Sequence, residues 1–284
     1  MFQVVEARTL APSVKQIKVS APEIARKRKP GQFIVLCLDD EGERIPLTIA
    51  DADPQAGLIT LIFQEVGKST LQLGALQAGD HLYALAGPLG TPTHVEKFGT
   101  VICIGGGIGI APVYPIARAM REAGNTVLSI IGARSKELII LEREMAQVSN
   151  RLKVSTDDGS YGHHGFVSDI LQDMIDEGLP MDLVVAIGPV PMMRVICNIT
   201  RSRGIKTVVS LNPIMVDASG MCGACRVTVG GRTRFVCVDG PEFDGHEVNF
   251  AELVKRQRAY LEQEKQSMES SRHVGGACQG GRSG

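Results

Sequence analysis

Hydrophobic periodicity changes once along this 284-residue chain, near Gly99-Thr100, and that change limits the folds open to it. Before it, short runs of alternating apolar and polar residues (QVVEAR, VKQIKVS, QFIVLCL, LTIAD, GLITLIFQEV, DHLYALAG) are punctuated by turn residues. That spacing predicts a small antiparallel β-barrel over 1–97. Only TLQLGALQ, after Gly67-Lys68-Ser69, has a helical pattern there. After Thr100, apolar strand-like runs (TVICIGG, TVLSIIGA, LKVSTDD, LVVAIGP, KTVVSLN) alternate with amphipathic helical ones. Five such βα units predict a doubly wound parallel sheet over 98–211, its short apolar strands covered on both faces.

A different chemistry follows in DASGMCGACRVTVGGRTRFVC. Asp217, Cys222, Cys225 and Cys237 fall at Asp-x4-Cys-x2-Cys-x11-Cys spacing, with Gly220 and Gly223 where the backbone must curl. Between the last two cysteines, alternating Val227, Val229 and Phe235 flank Gly230-Gly231, which predicts a β-hairpin returning Cys237 toward Cys225. Four ligands on a loop plus a hairpin suit a 2Fe-2S cluster better than zinc, whose structural sites usually pair two CxxC hairpins; zinc remains the alternative. A disulfide framework needs an oxidising compartment, and nothing in the chain suggests secretion. Cys37, Cys103 and Cys197 sit in apolar runs and read as buried free thiols, Cys278 as an exposed one in a Gly-rich end. The cluster lobe spans 212–248, a charged terminal helix 249–266, and a disordered tail 267–284.

Charge removes several partner classes. Thirty Lys and Arg against 31 Asp and Glu leave a formal net charge of −1, with no basic excess for nucleic acid or anionic lipid. The apolar stretch VICIGGGIGIAPVYPIA is interrupted by four glycines and two prolines, so a strand, a turn and a helix describe it better than a membrane span. The first twenty residues alternate like strands and lack the basic start and apolar centre of a signal peptide, so a cytoplasmic protein is expected.

Three further segments present groups suited to anions. Gly105 to Pro112 forms a Gly-rich turn between a strand and a helix, where amides and the helix dipole favour a phosphate, although its spacing is not GxGxxG and a ligand-free βα turn is the plain alternative. Arg44-Ile45-Pro46-Leu47-Thr48 sets a fork-shaped cation beside a strand-edge hydroxyl. Gly67, Ser69 and Thr70 open a short helix. No Ser-His-Asp pattern appears, no catalytic side chain is assigned, and His163-His164 read as turn residues.

The order of these motifs resembles one family. RIPLTI, GKST, GPLG at 87–90, GGGIGIAP, GP-x-PMM at 188–193 and then a cluster motif resemble the ferredoxin reductase superfamily. More narrowly they resemble the electron-transfer subunits of dihydroorotate dehydrogenase B and its relatives, the sulfide dehydrogenases among them. Asp217 in place of a fourth cysteine, with MCGACRV and VDGPEFDGHEV, is similar to the branch formed by small subunits of NADH-dependent reduced ferredoxin:NADP+ oxidoreductases. The resemblance implies that Arg44, Pro46, Leu47, Thr48, Gly67, Ser69 and Thr70 bind FAD, and that Gly106, Gly107, Gly109, Gly188 and Pro189 bind a nicotinamide dinucleotide. Asp157, in STDDGSYG, matches a stretch near that pocket, with a solvated turn as its plain alternative. NADH is the implied nucleotide, whereas Arg134 and Ser135 after the second sheet strand would suit an NADPH 2'-phosphate. The implied partner is a larger subunit with its own FAD and 4Fe-4S clusters, acting on NADPH and ferredoxin, with this chain on one branch of electron bifurcation. A zinc-stabilised nucleotide-binding module is the reading from another class.

Overall fold

A computed structural model describes residues 2–40 and 42–277. Its first part comprises β1 (Phe2–Ala11), β2 (Val14–Ser20), α1 (Pro22–Lys27), β3 (Phe33–Cys37), β4 (Ile45–Asp53), β5 (Leu58–Gln64), α2 (Lys68–Gly74), β6 (His81–Leu82) and β7 (Ala84–Leu89). The strands pair antiparallel in the order β6-β1-β2-β5-β4-β3-β7, an antiparallel near-barrel. Alternation drives this closure: Ile17, Val19, Ile34, Leu36, Ile59, Leu61 and Phe63 point inward and are almost fully buried. Each such side chain contributes about 1.5–3 kcal/mol of transfer free energy.

Two details depart from expectation. DHLYALAG is two strands separated at Tyr83, and α1 is a helix that strand periodicity hides. The helix nonetheless carries its own signals, with Pro22 at its start, Glu23 in its first turn and Arg26 and Lys27 in its last.

The second part runs β8 (Thr100–Gly106), α3 (Ile110–Glu122), β9 (Thr126–Ala133), α4 (Glu142–Val148), β10 (Arg151–Thr156), β11 (His163–His164), α5 (Val167–Asp176), β12 (Leu183–Ile187), α6 (Val190–Arg201) and β13 (Thr207–Ser210). The five expected strands are parallel, in the order β10-β9-β8-β12-β13. Successive residues of β8 serve opposite cores: Val101 and Cys103 pack with α3, whereas Ile102 and Ile104 pack with α5 and α6. The expected turn at His163-His164 is instead a two-residue parallel edge strand on β10. VICIGGGIGIAPVYPIA resolves into β8, a turn and the start of α3, and no described helix is long and apolar enough to cross a membrane. Cys37, Cys103 and Cys197 are free thiols; Cys278 lies outside the described residues.

The last part begins with β14 (Arg226–Val229), β15 (Arg232–Phe235), α7 (Val236–Asp239) and β16 (Glu242–Asp244). β16 adds antiparallel to β13, so the segment expected to stand apart as a lobe supplies the edge strand of the parallel sheet. The single terminal helix expected over 249–266 is two, α8 (Phe250–Gln257) and α9 (Leu261–Ala277), and α9 continues into the stretch expected to be a disordered tail. The rest of that stretch, 278–284, lies outside the described residues.

Two joints fix these parts. Ala11, Val14, Ala50 and Ile62 of the near-barrel share a core with Ala111, Val113 and Ala117 of α3. Beside that core, Asp51 Oδ1 accepts from Arg118 Nη2 at 2.7 Å and from Arg28 Nη2 at 3.2 Å. At the second joint, Thr91 N donates to the Gly240 carbonyl and Thr91 Oγ1 to the Val238 carbonyl at 3.2 Å, while Thr93 Oγ1 donates to Glu242 Oε1 at 2.5 Å.

Candidate functional site

The strand order reverses between β8 and β12, so the loops leaving their carboxyl ends splay apart and leave a crevice. Ile187 pairs with Gly105, which places Gly106, Gly107 and Gly109 opposite Gly188 and Pro189. The contact is backbone to backbone: a Cβ on Gly109 would lie 2.2 Å from the Ile187 carbonyl oxygen. Gly107 has φ +56° and nothing within 4 Å of its missing Cβ, so its peptide is open to a ligand at the head of α3. Met192, quoted in the GP-x-PMM motif but given no role from sequence, packs its thioether against Gly106 and Gly188 and floors the crevice.

Asp157 sits on the same edge of the sheet but two strands away, about 10 Å from the switch point at ordinary strand spacing. Its amide donates to the Ala133 carbonyl at 3.1 Å and its side chain is exposed. Arg134 and Ser135, after β9, are nearer. Ser135 makes no side-chain cap, and the next amide, Lys136 N, donates to Ser160 Oγ at 2.8 Å.

In the near-barrel, Arg44 is exposed just ahead of β4, on which Pro46, Leu47 and Thr48 lie half-buried opposite Val35, Ile34 and Phe33. Thr70 Oγ1 accepts from the amides of Val66 and Gly67 at 3.0 Å each, so its hydroxyl is taken up by the turn that opens α2. Ser69 Oγ bonds Glu43, bringing that turn to the residue before Arg44. A cleft of about 340 Å³ lies between them, lined in part by Asp39, Asp40, Glu43 and Lys68. The three carboxylates repel an anion, which leaves Lys68, Arg44 and the open backbone at Gly67 as the groups suited to one.

The four candidate metal ligands form two pairs. Cys225 Sγ lies 3.3 Å from Cys237 Sγ, and Cys222 Sγ donates to Asp217 Oδ1 at 3.3 Å. Among the described residues no three His, Cys, Asp or Glu side chains gather tightly enough to hold a single metal ion. The hairpin forms as expected, with Arg226 opposite Phe235 and both turn glycines, Gly230 and Gly231, at positive φ. It delivers Cys237 in α7 rather than on the strand itself.

Burial separates the pairs. Cys225 and Cys237 are each 2% exposed, and burial, followed by the neighbouring Cys225, pushes the Cys237 thiol up to about 12. Cys222 is exposed and Asp217 half-buried. The Ser219 amide and then the Cys222 thiol hold the Asp217 carboxyl below its ordinary value. Three apolar side chains nearby in the chain, Val216, Met221 and Val238, are exposed, Met221 at 89%. A tetrahedral metal with bonds of ~2.3 Å holds its sulfurs ~3.8 Å apart, so the buried pair needs only a small opening to share one metal. Two pairs of donors suit two metals, each taking two protein ligands.

Sequence comparison identifies the segments that carry these residues. The iron-sulfur cluster binding domain of dihydroorotate dehydrogenase B matches residues 212–249, and the oxidoreductase NAD-binding domain matches 103–198. The dihydroorotate dehydrogenase B (NAD(+)) electron transfer subunit homolog of Thermotoga maritima is 45% identical over 267 residues, 94% of each chain. The chain belongs to the dihydroorotate dehydrogenase B electron-transfer subunit family. A member from Geobacillus thermodenitrificans is 33% identical, covering 86% of this chain and 96% of that one. Among solved structures, that of NADH-dependent reduced ferredoxin-NADP oxidoreductase, from work on flavin-based electron bifurcation, superposes with a TM-score of 0.91 at 44% identity, over 95% of this chain and 97% of the other. The cytochrome P450 reductase GcoB from Amycolatopsis, at 21% identity and a TM-score of 0.59, shares the fold. This family member is therefore an oxidoreductase subunit with NAD-binding and iron-sulfur binding regions behind a ferredoxin reductase-like near-barrel.

Proposed function

We propose that this chain carries FAD and a 2Fe-2S cluster and passes electrons from NADH to a larger redox subunit, in an electron-bifurcating NADH-dependent ferredoxin:NADP+ oxidoreductase. The carrying observation is the two-pair ligand set, Cys225 with Cys237 and Asp217 with Cys222, in the segment that leads into the edge strand β16. It is supported by likeness over nearly the whole chain to the structure from the bifurcation work. A flavin, when bound, converts the two electrons of a hydride into the single electrons that an iron-sulfur cluster carries.

The chain's own contribution is positioning. Arg44 and the Gly67 turn would hold the FAD diphosphate, with Pro46, Leu47 and Thr48 beside the ring system. Gly106, Gly107, Gly109, Gly188 and Pro189 would hold the dinucleotide in the crevice, and the Asp51–Arg118–Arg28 ion cluster ties α3 to β4, the strand bearing the flavin contacts. The exposed Cys222 end, with exposed Met221, Val216 and Val238 nearby in the chain, faces outward and suits a partner's apolar surface. The larger subunit would carry its own FAD and 4Fe-4S clusters and act on NADPH and ferredoxin.

Absorption and EPR spectroscopy of the co-purified complex test this reading. Flavin bands and a reduced-state 2Fe-2S signal are expected, and Cys225→Ala abolishes the EPR signal while FAD remains reducible by NADH. A colourless zinc protein overturns the proposal. A preference for NADPH over NADH of about tenfold, ~1.4 kcal/mol, would reassign the nucleotide to the Arg134 side of the crevice.

A further inference from the structure

Two arginines outside the ligand set grip the turn between Cys222 and Cys225. Arg226 Nη1 donates to the Gly223 carbonyl at 3.1 Å, and Arg256 Nη2, reaching across from α8, donates to the Ala224 carbonyl at 2.8 Å. These are successive carbonyls of the turn that carries both cysteines. Their settings differ: Arg226 is exposed, whereas Arg256 is half-buried and its Nε is fully covered with no hydrogen-bond partner. A buried N–H without an acceptor is rare in folded proteins and calls for a reason other than stability.

The helix bearing Arg256 is firmly placed. Asn249 Oδ1 accepts from Glu252 N at 3.1 Å and caps α8; Phe250 and Leu253 are buried; Glu252 Oε2 accepts from Thr228 N on β14 at 3.2 Å. Arg256 follows Glu252 by one helical turn and so meets the cysteine turn from a rigid support. Because the peptide is planar and trans, fixing the Ala224 carbonyl on Arg256 turns the Cys225 amide N–H the opposite way, off α8.

We propose that Arg256 is a positioning residue of the iron-sulfur site, fixing the Ala224–Cys225 peptide and holding a permanent positive charge against the ligand turn that favours the reduced cluster. The inference rests on the 2Fe-2S reading of that site. Reduction adds one negative charge, and a guanidinium, charged at every working pH, stabilises it. Coulomb attraction is strongest where water is excluded, so half-buried Arg256 governs the potential and exposed Arg226 hardly affects it.

An EPR-monitored redox titration of the cluster in the full-length chain with its partner tests the proposal. Arg256→Gln is expected to lower the potential by about 59 mV, tenfold in the one-electron equilibrium constant. Arg256→Lys keeps the charge and stays within about 30 mV of the wild type, as does Arg226→Gln. An iron-loaded Arg256→Gln protein with an unchanged potential overturns the proposal, as does an Arg256→Lys protein shifted as far as Arg256→Gln. If Arg256→Gln binds no iron, Arg256→His decides: relative to the wild type, its potential must fall as pH rises from about 5 to 8 and the imidazole loses its charge. An Arg256→His potential that tracks the wild type across that range overturns the proposal. Wild-type protein without iron or a reduced-state signal would instead sink the 2Fe-2S reading itself.

Discussion

The crevice between β8 and β12 lies in the segment that matches the NAD-binding domain and the turn around Cys222 in the one that matches the iron-sulfur binding domain, and they are built from opposite materials. At the crevice the close approach is main chain, over a floor of Met192: Gly109 lies directly on the Ile187 carbonyl, and strand register places Gly105 beside Ile187. In the cysteine turn the candidate ligands are side chains, exposed Cys222, half-buried Asp217 and two buried thiols that gain from losing their protons only when a metal takes their place. The first site is thus complete once the sheet folds, whereas the second is completed by its ligand. A backbone-built site tolerates no added atom, and a side-chain-built site loosens when the metal leaves.

Gly109→Ala should break the first half of that comparison most severely. Its methyl would sit 2.2 Å from the Ile187 oxygen and 2.6 Å from its carbon, and neither backbone can yield without moving a strand end. A stability loss of about 3 kcal/mol is expected. Dinucleotide affinity should fall by at least about tenfold, or ~1.4 kcal/mol, with iron content retained. Thermal melts with NADH titrations check both, and wild-type affinity in this variant would place the dinucleotide elsewhere.

Removing the iron tests the second half. After chelation, amide hydrogen exchange should quicken through 217–225 by about tenfold or more, a loss of ~1.4 kcal/mol of local protection. Exchange across 105–109 should be unchanged. Equal loosening of both segments would mean that the crevice also depends on the cluster.

The same contrast explains what was legible in the chain. The Gly-rich turn, the Gly230-Gly231 hairpin and the alternation of β2 and β5 rest on local rules, and each appears where periodicity places it. α1 was legible too, through Pro22 and its charged ends, but a strand-rich neighbourhood masked it. By contrast, Thr93 meets Glu242 across 149 positions, and Arg256 reaches Ala224 across 32. Neither contact leaves a local pattern, because each depends on how β16 and α8 dock. Asp157 is a third such case: local sequence does not show that strand order sets it two strands from the switch point.

Glu242, on the edge strand that follows the cysteine turn, gives the mildest effect. Its carboxyl accepts from Thr93 Oγ1 and lies 2.7 Å from the place a Cβ would occupy on Gly31, where near-barrel, linker and edge strand meet. Burial raises its pKa from 4.5 to about 7, against a smaller opposing pull from the Thr93 hydroxyl. Between those values the folded state binds more proton than the unfolded state. Stability from this group is therefore full below about pH 4.5 and is lost as pH rises through about 7. Glu242→Gln keeps an acceptor for Thr93 and does not titrate, so its stability relative to the wild type should improve between about pH 5 and 8 by roughly 1–3 kcal/mol. At ~2–4 °C per kcal/mol, paired melts across that range resolve the change. A melting difference that stays constant with pH would mean that the Glu242 carboxyl is solvated and that its burial plays no part in the joint.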